Sequence, residues 1–350
     1  MMPFLAKPPE GSSLREVRDH VTLWEAVERR LGPAETRRVR NQFRLAWMSE
    51  ADFARMREAG MNCVRLPFLH DLEAEPDGLF VWLDAALAWA RRTGLYVLLD
   101  LHGAPGRQSK DHHTGEAGRN LLFRDEANVR KTADLWARVA ARYRDRPEVA
   151  GYDLLNEPMG ATNHAQLYDV QDRLYRAIRA VDARHLVFFE DGYKGFEHMP
   201  DPAQRGWTNI VASVHSYKFD AKSEQDQTGH LRWLVGMIGA QQARLRVPFH
   251  VGEFNLEPHG TPATLAACLE MLEARGASWS LWTFKTAMRK GSGERSMWGW
   301  IRSPGAMEAI DPFRDSADEM VRKSAQVRTT NMVEHAGMTG AFRAACRRAP

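Results

Sequence analysis

Apolar positions recur along this chain in two rhythms, one of helices and one of short buried strands. Leu23, Val27 and Leu31 share a helical face before Gly32-Pro33, which predicts a helix over 22–31 that stops there. Ser49 three residues ahead of Asp52 has the form of a capping box and opens a helix running to Gly60. A strand over 62–67, with Arg65 inside it, precedes a helical pattern over 80–93 that Gly94 stops. Residues 95–101 are an almost unbroken apolar strand, closing on Asp100 and His102, and a loop rich in glycine and histidine covers 103–120. Val129, Ala133, Trp136, Ala140 and Tyr143 then mark a helix that leads into a strand over 151–155.

That strand ends on Asn156-Glu157-Pro158. Proline cannot donate to a sheet ladder and biases the residue before it toward extended backbone, so Glu157 is expected to be extended at the strand's very end. The second half repeats the alternation. Leu167, Val170, Leu174, Ile178 and Val181 form a helical stripe before a strand over 185–190, and a strand over 210–215 ends in His215-Ser216-Tyr217. Leu231, Leu234, Ile238 and Leu245 predict the next helix, followed by a strand over 247–253 that closes on Glu253. Thr261-Pro262 caps a helix closed by Gly276, and the last strand, 278–284, carries Trp279 and Trp282. These two tryptophans lie on opposite faces, so one is expected to pack against helices. A loop bearing Gly, Trp and Arg and a helical C-terminal region complete the chain.

Strand and helix units of about 30 residues suit repeated βαβ units closing into a (β/α)8 barrel. An open doubly wound sheet is the competing arrangement. It lacks support because no Gly-x-Gly-x-x-Gly follows the first strand and polar residues end at least five different strands, as a central pocket requires. No strand is evident ahead of residue 22, so the barrel is expected to lack most or all of its first strand. The whole chain, 1–350, is read as one catalytic barrel with a C-terminal helical extension.

Composition narrows the classes. Apolar residues are 44% and charged residues 27% of 350, and the net charge of +3 is spread along helices as alternating Arg and Glu/Asp, which speaks against nucleic acid. Cys63, Cys268 and Cys346 are too few and too scattered for a disulfide framework or a zinc cage, and Cys63 and Cys268 are expected to be inert core thiols. No stretch is apolar enough to span a membrane, and residues 1–10 do not read as a signal peptide. The expected location is cytoplasmic for the chain as it stands, or secreted if a segment precedes it.

The chemistry sits at strand ends. Arg65, His102, Asn156, Glu157, His215, Tyr217, Glu253 and Trp282 come from six strands that a barrel brings to one mouth. Two glutamates closing two apolar strands make the pair that glycoside hydrolysis needs, one protonated to assist the leaving oxygen and the other ionised to attack or to activate water. Arg65 beside Glu253 would favour its ionised form, whereas apolar or anionic neighbours would raise Glu157. Trp282 offers a flat apolar face for a sugar ring. Asp111-His112-His113 with His102 could instead hold a metal, although no fixed ligand spacing supports it.

These residues resemble glycoside hydrolase family 5, the cellulase-like retaining β-glycosidases, over roughly residues 50–285. The resemblance implies that Glu157 is the acid/base and Glu253 the nucleophile. It implies that Asn156 meets the sugar 2-hydroxyl, that Arg65 and Tyr217 orient Glu253, and that His102 and His215 line the cleavage subsite. Asp100 through Gly106 and Trp282-Thr283-Phe284-Lys285 are similar to the glucan-directed branch that includes exo-β-1,3-glucanases. A β-linked oligosaccharide, polysaccharide or glycoside is the implied substrate, with no metal or other cofactor. Family members generally carry a first strand with Gly-x-Asn-x-Gly ahead of the region that begins here. Two rival readings are a vestigial barrel that binds sugar without turnover and a metal-dependent hydrolase built on the loop from His102 to His113.

Overall fold

The computed structural model of the chain describes residues 3–75, 78–287 and 297–346. Seven parallel strands follow one another in chain order around a nearly closed barrel. They are β1 (Cys63–Leu69), β2 (Tyr96–Gly103), β3 (Val149–Asp153), β4 (Leu186–Glu190), β5 (Ile210–Ser216), β6 (Phe249–Phe254) and β7 (Ser278–Leu281). The helices are α1 (His20–Trp47) and α2 (Glu50–Glu58) ahead of β1, then α3 (Gly78–Thr93), α4 (Glu126–Tyr143) and α5 (His164–Arg179) in the successive crossovers. A one-turn α6 (Pro202–Arg205), α7 (Glu224–Leu245) and α8 (Pro262–Ala274) cover the second half. This is the (β/α)8 architecture one strand short among the described residues, with β1 and β7 as the two ends of the sheet.

Local signals account for most element boundaries. Asp125, Asn163, Ser223 and Thr261 each accept a backbone N–H at the start of α4, α5, α7 and α8, and Ser49 and Asp52 complete the capping box of α2. The helix expected to end at Gly32 breaks there, with Gly32 at φ 75°, but Pro33 starts a second helical run that carries on to Trp47.

Alternation along the strands sorts two environments. Val97, Leu99, Tyr152, Val187, Phe189 and Val214 face the helices and join the main core. The opposite face points into the barrel, where Leu98, Phe188 and Val211 form a separate apolar floor. Above that floor the interior is polar, with Arg65, Asp100, Asp153, Glu190, Ser213 and His250 drawn from six strands.

β7 ends earlier than expected, at Leu281 rather than residue 284. Trp279 faces the helices, where its indole N–H donates to Glu273 and its ring stacks on Phe342. Beyond it, β8 (Lys285–Thr286) and β9 (Ile301–Arg302) form a small sheet with β10 (Val333–Glu334). α9 (Ala317–Ser324) packs on α1 and α10 (Ala336–Cys346) on α8. The part of the Gly- and Arg-bearing loop at 288–296 lies outside the described residues. Lys285 is fully buried, donates to the carbonyl of Trp47 and stands 3.3 Å from Asp52. The residue that caps α2 therefore also neutralises the β8 lysine.

Cys63 does not sit in the core as expected. It has accessible surface because β1 is an end strand, although its thiol is set deep enough that burial pushes it up to about 12. Cys268 is buried as expected. Among the described residues no helix is long and apolar enough to cross a membrane.

Candidate active site

Arg65 projects from β1 into the centre of the barrel, its side chain 4% exposed. Nη1 donates to Glu253 at 2.7 Å, Nε to Asp153 at 2.9 Å, and Nη2 to Asn156 at 2.9 Å and Glu190 at 3.2 Å. Asp100 lies 3.2 Å from the same Nη2. One guanidinium thus holds side chains of β2, β3, β4 and β6 together, a task that its planar fork of five donors suits.

Glu253 reaches the interior by an irregularity. Strict alternation from His250 on β6 would turn Glu253 toward the helices, but the β5–β6 register shifts at Val214/His215 and turns it inward. Gly252 permits this close packing, because a Cβ there would stand 2.7 Å from Ser213 Oγ and 2.9 Å from His215 Nε2. With Arg65 on Oε1 and the Tyr217 hydroxyl donating to Oε2 at 2.7 Å, both oxygens of Glu253 are held.

Glu157 is not extended. Its φ is 45°, in the left-handed region, where a non-glycine residue costs about 1–3 kcal/mol. The preference imposed by Pro158 is overridden by tertiary contacts. The Glu157 N–H donates to Glu190 Oε2 at 2.7 Å, and the Met159 N–H returns to the Glu157 carbonyl at 2.7 Å. The side chain then meets three groups: Tyr193 hydroxyl at 2.8 Å, His215 Nδ1 at 2.9 Å and His113 Nε2 at 3.0 Å. Burial would raise the Glu157 carboxyl, but the hydrogen bonds from His113 and His215 hold it far below the ordinary range. The expected upward shift is therefore reversed, because cationic and donor groups surround the carboxylate in place of apolar or anionic ones. Oxygens of Glu157 and Glu253 lie within 4.8 Å of each other, with His215 between them.

His102 donates to Asp100 at 2.7 Å through Nδ1, and its ring lies parallel to Trp282 with centroids 5.5 Å apart. Burial opposes ionisation of Asp100, yet Arg65 and His102 keep it below the usual carboxylate range. All eight residues singled out in the sequence come together at the C-terminal end of the barrel strands. Asp111-His112-His113 does not assemble with His102 into a ligand set, since His113 is turned onto Glu157 and Asn156. Among the described residues, the acid–histidine grouping that converges is Glu157, His215 and Glu253.

The sequence reading leaves Glu190, Asp153 and Tyr193 out of this cluster and gives His113 only a metal-binding alternative. Glu190 closes the apolar run Leu-Val-Phe-Phe just as Glu157 and Glu253 close theirs, so the same signal was present. Asp153 lies inside a run read as apolar, two positions from Gly151 on the inward face. His113 and Tyr193 arrive from loops, where no periodicity marks them. Burial pushes the Glu190 carboxyl up to about 8, against the pull of His215 and Arg65, with the charge of Asp153 adding to the rise. Burial and the neighbouring Asp100 push Asp153 up to about 6, more than Arg65 draws it down.

A (β/α)8 barrel with two glutamates facing one another at the C-terminal mouth, braced by an arginine, a tyrosine and a histidine, defines a class of carbohydrate-active barrel by geometry. The chain belongs to the Cellulase family, glycosyl hydrolase family 5, which matches residues 32–288. It is 35% identical over 263 residues to a probable glucan 1,3-beta-glucosidase A of Neosartorya fischeri, covering 70% of this chain and 59% of that protein. A beta-xylosidase of Phanerodontia chrysosporium is 32% identical over 182 residues, 49% of this chain and 38% of the relative. The chain thus spans between about two fifths and three fifths of these relatives' lengths. Endo-glycoceramidase II from Rhodococcus sp. shares the fold at a TM-score of 0.56 and 20% identity, over 74% of this chain and 72% of that one. The cellulose synthase subunit Z of Clostridioides difficile does so at 0.59 and 16%, over 84% and 92%.

Proposed function

We propose that the protein is a retaining β-glycoside hydrolase acting on a β-glucan or β-glucoside, with Glu253 as nucleophile and Glu157 as acid/base. The observation that carries this reading is the closeness of the two carboxylates, whose oxygens lie within 4.8 Å. Retaining enzymes place the pair about 5–5.5 Å apart, whereas inverting enzymes need about 6.5 Å or more to admit a water. The glucan 1,3-beta-glucosidase relatives favour a β-1,3-linked glucan among substrates.

Glu253 is suited to attack because Arg65 and Tyr217 fix both its oxygens, so it needs no reorientation before bonding to the anomeric carbon. Glu157 protonates the departing oxygen, then as a carboxylate takes the proton of the water that releases the sugar. Asn156, whose Oδ1 is held by Arg65 and whose amide nitrogen lies 3.3 Å from His113 Nδ1, has a second amide N–H to offer a sugar hydroxyl. The parallel His102 and Trp282 rings give a flat wall on which a pyranose can rest.

The test is sugar release from β-1,3-, β-1,4- and β-1,6-glucans, mannans and aryl β-glycosides, with Glu253→Ala as the blank. Turnover that survives a chelator and disappears in the blank supports the reading. Azide added to Glu157→Ala with an activated aryl glycoside should restore turnover and give a β-glycosyl azide; an α-glycosyl azide would exchange the two roles. A folded protein that binds sugar and turns over none of the panel overturns the reading in favour of a vestigial barrel.

A further inference from the structure

Glu190 is the buried carboxylate that the double displacement leaves without a task. It closes β4 with a side chain 3% exposed, and it touches no part of the cleft that a substrate would fill. Its neighbours come from every side: Arg65 of β1 (whose Nη2 it shares with Asp100 of β2), Asp153 of β3, Glu157 just beyond β3, His215 of β5, and Gln171 of α5, which pairs with its backbone. Glu253 of β6 lies beyond His215. Arg65 faces Asp100, Asp153, Glu190 and Glu253 at once, and the carboxylates facing His215 draw a proton onto that imidazole, so four acids share two cationic groups and the set cannot be uniformly ionised at low cost.

The geometry between Glu190 and Glu157 is that of a bridge. His215 hydrogen-bonds Glu157 Oε1 through Nδ1 at 2.9 Å, while Nε2 stands 3.2 Å from Glu190 Oε1, within ion-pair distance but out of hydrogen-bond alignment, so a small turn of the ring completes the link. Its side chain is 1% exposed, so no bulk water competes at either nitrogen. Glu157 meanwhile rests as a carboxylate, held so by His113 and His215, whereas the first chemical step needs it as an acid.

We propose that Glu190 is a proton-holding positioning residue, which supplies Glu157 with its proton through the imidazole of His215. The inference rests on the glycosidase reading above. Glu190 and His215 share one proton beyond the Nδ1 hydrogen. When a glycoside enters, the Nδ1–H bond breaks and its proton bonds to Glu157 Oε1, while the shared proton ends on Nε2. His215 finishes neutral and Glu190 finishes as a carboxylate. That carboxylate is met by Nη2 of Arg65, by the Glu157 backbone N–H and by Nε2–H of His215. After Glu157 takes a proton from water in the second step, the same movement runs backward. Burial pushes Glu190 up to about 8 and the facing carboxylates push His215 well above its ordinary value, which agrees with one proton held between the two at neutral pH.

The experiment compares wild type, Glu190→Gln and Glu190→Asp on phenyl and 2,4-dinitrophenyl β-glycosides, after thermal unfolding has confirmed that each is folded. The phenyl leaving group needs a proton and the dinitrophenyl group does not. For Glu190→Gln, kcat/KM on the phenyl glycoside should fall by about 100-fold or more. Its kcat on the dinitrophenyl glycoside, which reads release of the sugar with Glu157 as base, should fall far less, and Glu190→Asp should recover part of the phenyl loss. Equal losses on both substrates would mean that Glu190 merely props the Glu157 backbone, and no loss on either would mean it does neither; both results overturn the proposal. A difference titration of wild type against Glu190→Gln tests it without turnover. A proton released near neutral or alkaline pH supports it, and one released in the ordinary carboxylate range overturns it. Wild type that turns over neither glycoside while showing the high-pH proton would sink the glycosidase reading alone.

Discussion

Replacing Arg65 with methionine should destabilise the protein in a manner that grows with pH. The side chain is 4% exposed and stands 2.7 Å from Glu253, 2.9 Å from Asp153 and 3.2 Å from both Asp100 and Glu190. Removing one partner of a buried ion pair costs about 3–5 kcal/mol because the other charge is stranded, a large share of a total stability of about 5–15 kcal/mol. Stranded carboxylates respond by holding protons, so their folded-state pKa values move further above those of the unfolded chain. For a raised carboxyl the associated stability is present below the unfolded pKa and is lost as pH climbs through the folded one. Asp153 and Glu190 already stand at about 6 and about 8 with Arg65 in place. The loss should therefore be smaller at pH 5 than at pH 8, by about 1.4 kcal/mol for each unit that a single carboxyl is displaced. Urea unfolding of both proteins at the two pH values measures this directly. A loss of the same size at both would refute the claim that Arg65 draws these acids toward their ionised forms. Arg65→Lys should recover only part of the stability, since an ammonium cannot span four carboxylates.

His113→Ala removes a group that favours ionised Glu157, so Glu157 should keep its proton to higher pH and the alkaline limb of kcat/KM should move up; an unmoved limb would show that His113 does not act on Glu157. Gly252→Ala places a Cβ 2.9 Å from His215 Nε2 and should displace that ring, lowering kcat by about 100-fold as small misplacements do, with wild-type kinetics counting against the packing described. Asp52→Asn leaves buried Lys285 without its carboxylate and should cost about 3 kcal/mol in urea unfolding, most of it recovered when Lys285→Met is added.

The barrel and its mouth were legible because burial writes itself on both faces of a parallel strand. Gly-Tyr-Asp-Leu-Leu stops at Asn156-Glu157 and Phe-His-Val-Gly at Glu253, and those stops mark the two glutamates in the sequence itself. The polar interior was less legible. Asp153 and Ser213 sit among apolar residues whose alternate members face the helices, and nothing local distinguishes a polar side chain turned into a barrel from one turned to solvent. The conformation of Glu157 departs from the local rule about proline because its backbone N–H donates to a carboxylate 33 positions away. His113 and Tyr193 reach Glu157 from loops, whose paths depend on the scaffold beneath them. The inward turn of Glu253 depends on a register shift that hydrophobic pattern cannot announce.

The way Arg65 is shared also bears on how the chain comes to its native state. Its hydrogen-bonded partners lie between 88 and 188 positions further along, so loops spanning much of the chain must close before the guanidinium is satisfied. A partly folded molecule that has β1 and β2 but lacks β6 holds Arg65 without Glu253, and gains little from burying it. The charged centre thus rewards only the nearly complete ring, which penalises compact intermediates that stop early. Completion of folding and assembly of the cluster around Glu253 are then one cooperative event.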